Sequence, residues 1–294
     1  MFFGGRCGRV RFMKNKPSSG VFFMVAAACT FALAGILIKL CTFSPQTINS
    51  LRCLFAGLLM GAYMKVRGHR FTWKSAGTWL CALANFGMGL LFVMANKMTT
   101  AANAIVLQFT MPAFIILLQW IFWKKRPDRT AVIACALSFA GILCFFVESL
   151  GGGHLTGNIL ALVSGVLYAV LFLTKQIPGA DFESGVLISF VISVLFGLPS
   201  VLAEPAAAWS GVNILLVAAL GLVQQGLSYI FLNKGLDSVP PVTASLVSMV
   251  EPILNPVLVA IFYHETIGWI SMIGAVIVLG SAAWYNAREA KSHG

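Results

Sequence analysis

Residues 241–263 read PVTASLVSMVEPILNPVLVAIFY, and residues 99–123 read TTAANAIVLQFTMPAFIILLQWIFW. A helix crosses a bilayer core with ~20 mostly apolar residues, so each run is long enough to span one. The first run holds one charged residue, Glu251, ten positions from one end and twelve from the other. At a rise of ~1.5 Å per residue that puts its carboxyl about 15 Å deep. An ionisable group at such depth costs roughly 2.5–3.5 kcal/mol or more and marks a functional site by default. Composition agrees with a membrane protein. Of 294 residues, 59% are hydrophobic and 10% charged, against about 25% charged in soluble domains. A soluble enzyme and a nucleic-acid-binding domain are excluded on that balance.

Ten candidate spans follow from the same ruler: 20–41, 46–65, 75–95, 99–123, 130–148, 157–176, 184–203, 211–232, 241–263 and 267–286. The net charge of +11 is then a topology signal, because cytoplasmic joints of membrane proteins collect Lys and Arg. The leader carries Arg6, Arg9, Arg11, Lys14 and Lys16. Every second joint after it carries Lys65, Arg67, Arg70 and Lys74, then Lys124, Lys125, Arg126 and Arg129, then Lys175, Lys234, and finally Arg288 and Lys291. The alternate joints hold only Lys97. This asymmetry predicts an even number of spans, with both termini cytoplasmic, in a cell inner membrane. The apolar run after the leader is too long for a signal-peptide core of ~7–15 residues, so it reads as a retained span. Met1 and Met13 are both eligible starts. Seven cysteines without a C-x-x-C pair support neither a disulfide framework nor a zinc site.

Five spans per half place the second half upside down relative to the first. Thr110-Met111-Pro112-Ala113-Phe114 aligns with Val250-Glu251-Pro252-Ile253-Leu254, and the same offset of 140 pairs Ala104 with Ala244 and Phe122 with Phe262. Inverted repeats of this kind are the sequence mark of alternating-access secondary transporters. The expected organisation is a basic cytoplasmic leader (1–19), a first five-helix repeat (20–148), a Gly-rich external linker (149–156), a second repeat (157–287) and a cytoplasmic tail (288–294).

Several stretches carry a family resemblance. They are Ala101-Ala102-Asn103-Ala104 through Pro112 to Lys124-Lys125, and Val242 through Glu251-Pro252 to His264-Glu265. Lys39, Arg52 and Tyr168-Ala169 add to it. On these the chain resembles the EamA family of the drug/metabolite transporter superfamily. The resemblance implies an all-α fold of ten transmembrane helices in two inverted repeats, and export or exchange of small organic metabolites. It departs in one place: an acidic residue usual after the fourth span is replaced by Lys124-Lys125, while the second copy keeps Glu265.

Candidate cavity residues come from mid-span polar groups. Glu251 reads either as a carboxylate that answers to protons or to a substrate amine, or as a neutral carboxyl bonded to backbone that Pro252 leaves free. Ser245, Ser248, Glu251 and Asn255 fall on one helical stripe, and Gln108, Pro112 and Gln119 do so in the fourth span. Each proline removes one backbone hydrogen bond, so Pro112 and Pro252 are expected helix breaks at matching levels. Polar glue between packed helices is the plain alternative for the stripe. Tyr168 offers a ring and a hydroxyl to the same level, as packed core or cavity wall. Gln224 and Gln225 are further mid-span groups. Lys39 reads equally as a side chain snorkelling to the interface and as a counter-ion near the cavity. Arg52, about six residues into its span, reads as an anchor. Gly57 and Gly61, and Ala140-Gly141 with Gly280-Ser281, read as close packing seams.

The expected partners are a small-molecule substrate and the lipid bilayer, with homodimerisation left open. No cofactor or metal is called for, and no P-loop is present to bind ATP. The competing classes are a membrane-embedded enzyme, which needs an acid–base pair or nucleophile within the spans, and a non-transporting sensor or scaffold. Flux across a vesicle wall separates the three.

Overall fold

The computed structural model describes residues 17–124, 126–152, 154–174, 177–236, 248, 250–264 and 268–293. Among them there is no strand. The helices are α1 (Pro17–Phe31), α2 (Ala34–Leu40), α3 (Pro45–Val66), α4 (Ala76–Met98), α5 (Ala101–Gln108), α6 (Met111–Trp123), α7 (Arg129–Gly152), α8 (Leu155–Thr174) and α9 (Phe182–Leu202). They continue as α10 (Gly211–Ala219), a π-helical turn (Leu220–Leu227), α11 (Ser228–Leu236), α12 (Val250–Tyr263) and α13 (Trp269–His293). Among the described residues six stretches are long and apolar enough to cross a membrane: Gly20–Leu40, Ala76–Met98, Ala101–Trp123, Leu155–Thr174, Phe182–Leu202 and Gly211–Gly235. Arg129–Cys144, Val250–Tyr263 and Trp269–Tyr285 are apolar but shorter. Helix α3 falls outside both sets, since the face it buries carries Thr47, Asn49, Ser50 and Arg52.

Helix starts follow local chemistry. Ser44, Ser75, Thr100, Asp181 and Ser210 each accept a backbone N–H in the first turn of the following helix, the usual way of satisfying donors that have no helical partner. Two spans are interrupted. The first breaks at Ala32-Leu33, after Thr30 has turned its hydroxyl back onto Ala26 O (2.8 Å) and Ala27 O (3.0 Å). The fourth breaks at Phe109-Thr110, and Pro112 opens α6 as its second residue, a position where a missing N–H costs nothing. Met249 and residues 241–247 lie outside the described residues, so the expected break before Pro252 does too, as does Ser245. The Gly-rich linker is shorter than expected, because α7 continues through Gly151-Gly152.

Packing brings the two halves together. Helix α4 lies along α8 and α9, α3 along α9 and the π turn, α1 along α11, and α7 along α13. Helix α8 meets α5 and α6, and α12 meets α2 and α5. The outward surface is apolar: Leu58, Phe122, Leu143, Leu195, Leu215 and Val276 all stand exposed, as a hydrocarbon solvent requires. The expected glycine seams divide. Gly141 faces Gly274 O across α7 and α13, whereas Gly61 and Gly280 meet nothing within 4 Å. The closest approach to a neighbouring backbone is at the π turn, where a Cβ on Gly221 would lie 2.5 Å from Arg52 O and 2.4 Å from Phe55 Cβ.

One end of the bundle is clasped by Asp181. It caps α9 through Oδ1, which accepts from the N–H of Glu183 (3.1 Å) and of Ser184 (3.4 Å). Its Oδ2 accepts from Ser184 Oγ (2.8 Å) and Thr72 Oγ1 (3.1 Å) and lies 2.8 Å from His69 Nε2. Partial burial pushes the Asp181 carboxyl up, but the hydrogen bonds from His69 and Ser184 outweigh it and hold it below its ordinary value.

Two outcomes follow. Gly221→Ala forces a Cβ into helix α3 and should cost ~1–3 kcal/mol, read as a lower melting temperature in detergent, while Gly280→Ala should not destabilise. A carboxylate depressed by folding contributes stability above its unfolded value and loses it as pH falls through the folded one. Wild-type melting temperature should therefore fall on acidification through the carboxylate range by more than that of Asp181→Asn.

Candidate functional site

The polar residues at the centre enclose a cavity of about 50 Å³. A water needs ~10–15 Å³ of such volume, so this is room for a few waters and not for a larger metabolite. Its floor and walls come from both halves of the chain. Arg52, Gly89 and Gln108 line it from α3, α4 and α5, and Tyr168, Gln224 and Glu251 from α8, the π turn and α12. Phe31, Met88, Phe92 and Tyr229 supply the apolar part of the wall.

Arg52 is 3% exposed. Its Nε and Nη2 donate to Asn49 Oδ1 at 3.3 and 3.0 Å, and Nη2 also to Gly89 O at 2.9 Å. All these acceptors are neutral, and the Cys53 thiol stands within hydrogen-bonding reach of the guanidinium as well. The glycine matters here, since a Cβ at position 89 would lie 3.1 Å from Nη2. Glu251, the second residue of α12, is 8% exposed. Among the described residues no hydrogen bond or salt bridge reaches its carboxyl.

The π turn widens the Gly211–Gly235 stretch by i→i+5 bonds, a geometry frequently found at functional sites. It buries Gln224 and Gln225 side by side. Gln225 Nε2 points at Cys53 Sγ (3.6 Å), while the Oε1 atoms of both glutamines are buried without a protein donor among the described residues. Gln108 Nε2 donates to Ser164 Oγ (3.2 Å). Tyr168 sits edge-on to Phe109 and Phe172, and its hydroxyl makes no hydrogen bond to the described residues. Tyr229 instead donates to Asn85 Oδ1 (2.5 Å), and Asn85 Nδ2 donates to Ser189 Oγ (2.6 Å), which ties α11, α4 and α9 beneath the cavity.

Of the residues singled out from the sequence, Glu251, Gln108 and Tyr168 line this cavity; Asn255, Ser248 and Lys39 do not. Asn255 is fully buried against Gly35, where a Cβ would fall 2.3 Å from its Oδ1. Ser248 is half-buried. Lys39 donates Nζ to Thr99 O at 2.8 Å, at the end of the bundle where Lys97 Nζ donates to Cys41 O. Pro252 is buried beside Glu251, and the side chain of Pro112 lies outside the described ones. Arg52, read from the sequence as an anchor near the surface, stands at the centre instead. Among the described residues no three His, Cys, Asp or Glu side chains gather where they could hold a metal.

Comparison with known proteins gives a consistent picture. The model of the EamA-like transporter family matches residues 18–147 and again 155–287. The chain is 23% identical to mouse (Mus musculus) solute carrier family 35 member G1, over 93% of this chain and 79% of that protein. It is 26% identical to the threonine/homoserine exporter RhtA of Escherichia coli strain K12, over 82% of each. A crystal structure at 18% identity superimposes with a TM-score of 0.67, covering 93% of this chain and 99% of the other, which speaks for the fold alone.

The two tyrosines should respond differently to loss of their hydroxyls. Tyr229→Phe strips Asn85 of a buried donor and should cost about 1 kcal/mol or more of stability. Tyr168→Phe removes a hydroxyl with no partner among the described residues and should leave melting within about 0.5 kcal/mol of wild type. Thermal melting of the two purified variants checks both.

Proposed function

The chain belongs to the EamA-like transporter family and is a secondary transporter of small metabolites, and on that premise we propose that its solute passes through the cavity between Arg52 and Glu251 by alternating access. The observation that carries this reading is the cavity itself. It is polar, central, built by both halves of the chain, and holds a carboxyl that has no protein partner among the described residues.

The architecture we propose is ten spans in two inverted five-helix repeats. The family match in two stretches supports it. So do the packing pairs, which exchange when the halves are exchanged. The contact of α4 with α8 answers to that of α11 with α1, and α5–α6 on α8 answers to α12 on α2 and α1; α3–α9 and α7–α13 each answer to themselves. Among the described residues two other than glycine have a left-handed backbone, Lys124 (φ 53°) and His264 (φ 56°). They follow α6 and α12 directly and are separated by the same offset of 140 that aligns the two proline levels.

Transport then requires the two ends to open in turn. One end is held by Lys39 on Thr99 O, Lys97 on Cys41 O, and Glu204, which accepts from Ser44 Oγ (2.9 Å) and Thr47 Oγ1 (2.6 Å). The other is held by Asp181 with Thr72 and His69. The excess of Lys and Arg in alternate joints supports a reading in which the Asp181 end and both termini face the cytoplasm of an inner-membrane protein that exports or exchanges its solute. A relative supports the same direction: RhtA is an exporter.

The test is flux. Reconstituted wild type should move metabolites out of loaded vesicles, and Glu251→Gln, melting within a few degrees of wild type, should lose at least tenfold of that flux. Equal flux from the two at matched protein levels would overturn the role given to the cavity.

A further inference from the structure

We propose that His69 is a proton-operated latch, whose charged ring holds one end of the bundle shut while the matching clasp at the other end ignores pH, an inference that rests on the two-ended opening proposed above and names its regulation. Helix α3 ends in a turn at Gly68 (φ 66°), where the His69 N–H returns to Met64 O (2.9 Å). The turn carries the imidazole to the start of α9. There Nε2 lies 2.8 Å from Asp181 Oδ2, and Nδ1 lies 3.3 Å from Glu183 Oε2. A neutral imidazole has one N–H, whereas imidazolium donates from both nitrogens. With a carboxylate oxygen at each nitrogen, the arrangement suits the charged ring. In the neutral ring one lone pair would face a carboxylate.

The surrounding charges pull in two directions. Asp181 and Glu183 meet the ring from α9 and favour its charged form. Lys65, Arg67, Arg70 and Lys74, on α3 and the joint after it, oppose that form from further off, as does Lys234 of α11, which lies over the Tyr63 ring of α3. Helix α4 carries Lys97 alone, at its far end, and α8 carries no charged residue. The imidazole is 34% exposed, so protons reach it from that face. Asp181 is held below its ordinary value by the same contacts, so it stays ionised where imidazole changes charge, between about pH 5 and 8. The two carboxylates grip the ring only while this end is closed. Protons therefore favour the closed end, and the hold is lost as pH rises through the imidazole range.

The other end has the same plan without a titrating donor. Ser44 caps α3 as Asp181 caps α9, and each accepts the N–H three residues on, of Thr47 and of Ser184, at 3.4 Å. Both pairs are separated by 137 positions, 181 − 44 and 184 − 47. The gripping group there is Glu204, which accepts from the Ser44 N–H (3.2 Å), Ser44 Oγ (2.9 Å) and Thr47 Oγ1 (2.6 Å). An amide and two hydroxyls keep their protons across the imidazole range. His154 at that end lies 3.4 Å from Met98 O, a neutral acceptor to which either form of the ring can donate. Equivalent clasps thus differ in one respect, the histidine between two carboxylates.

Two native thiols serve as gauges. Cys81 is wholly buried beneath the latch, where α4 meets Gly185 of α9, and Cys41 is wholly buried at the other end, where its carbonyl accepts from Lys97. The experiment follows their alkylation by N-ethylmaleimide, by peptide mass spectrometry, in purified wild type and His69→Gln at about pH 6 and about pH 8. The ratio of variant to wild type at each pH removes the pH dependence of the thiol reaction itself. Cys81 should react about threefold or more faster in His69→Gln at the lower pH, and at the same rate as wild type at the higher. Cys41 should react alike in both proteins at both pH values. Glu183→Gln, which keeps the Asp181 contact, should show a smaller excess at Cys81 in the same direction, and it decides if His69→Gln is not monodisperse. Equal Cys81 rates at the lower pH, an excess that persists at the higher, or the same response at Cys41 would overturn the latch. No solute enters this experiment, so that failure leaves the transporter reading to the flux test above. The expected Cys81 pattern in a protein that moves no solute would keep the latch and overturn the transporter reading.

Discussion

A guanidinium held out of water by neutral oxygens is the constraint around which the centre is built. Arg52 needs acceptors, and α3 supplies Asn49 one turn earlier on its own face while α4 supplies the carbonyl of Gly89. That carbonyl is reachable only because residue 89 has no side chain in the way. On the far side of the same helix, the backbone of Arg52 is the surface against which the π turn closes, through Gly221. The π turn in turn presents Gln224 and Gln225 to the cavity. One ionic residue thus fixes the approach of α3 to α4 and to the eighth span, and so the shape of the space between them.

Depth along a span was legible in the sequence, and lateral position was not. Counting residues from the ends puts Glu251, Gln108 and Tyr168 near mid-span, and all three line the cavity. The same counting puts Arg52 about six residues from an interface, close enough to snorkel if the helix faced lipid or headgroups. But α3 buries this face against α4, α9 and the π turn, so the side chain points into the protein and has no route to the surface. Helical spacing has a related limit. It groups Asn255 with Glu251 on one stripe, yet one turn further along α12 the neighbour is no longer the cavity but Gly35 of α2. The π turn has no sequence signal in a single chain, because it is an accommodation between Gly221 and the backbone of α3.

Sequence reading of the helix break fared differently for a physical reason. Proline dictates local geometry whatever surrounds it, since its ring removes a donor and crowds the preceding turn. The fourth span accordingly ends α5 at Gln108 and restarts at Met111, with Pro112 in the first turn. The small-residue pattern of Gly57 and Gly61 dictates nothing by itself. It permits close approach but requires a partner helix to take it up, and Gly61 has no neighbour within 4 Å.

The strength of contacts is distributed as alternation requires. At the centre, groups are buried, and breaking one of a charged or hydrogen-bonded set is expensive. At the ends, the contacts that close the bundle are partly exposed: Lys39 on Thr99 O, Glu204 on Ser44 and Thr47, His69 on Asp181. Exposed ion pairs are each worth only about 0–1 kcal/mol. A closure made of a few such contacts can be broken at a cost of a few kcal/mol, the range in which a protein populates two conformations and a ligand can shift between them. The same closures made of buried charge would lock the bundle. A cavity about 50 Å³ in size must expand to admit any metabolite, so the energy of binding at the centre is coupled to opening at an end. It is the contrast between a costly centre and weak ends that would let solute binding decide which end gives way in the alternation proposed above.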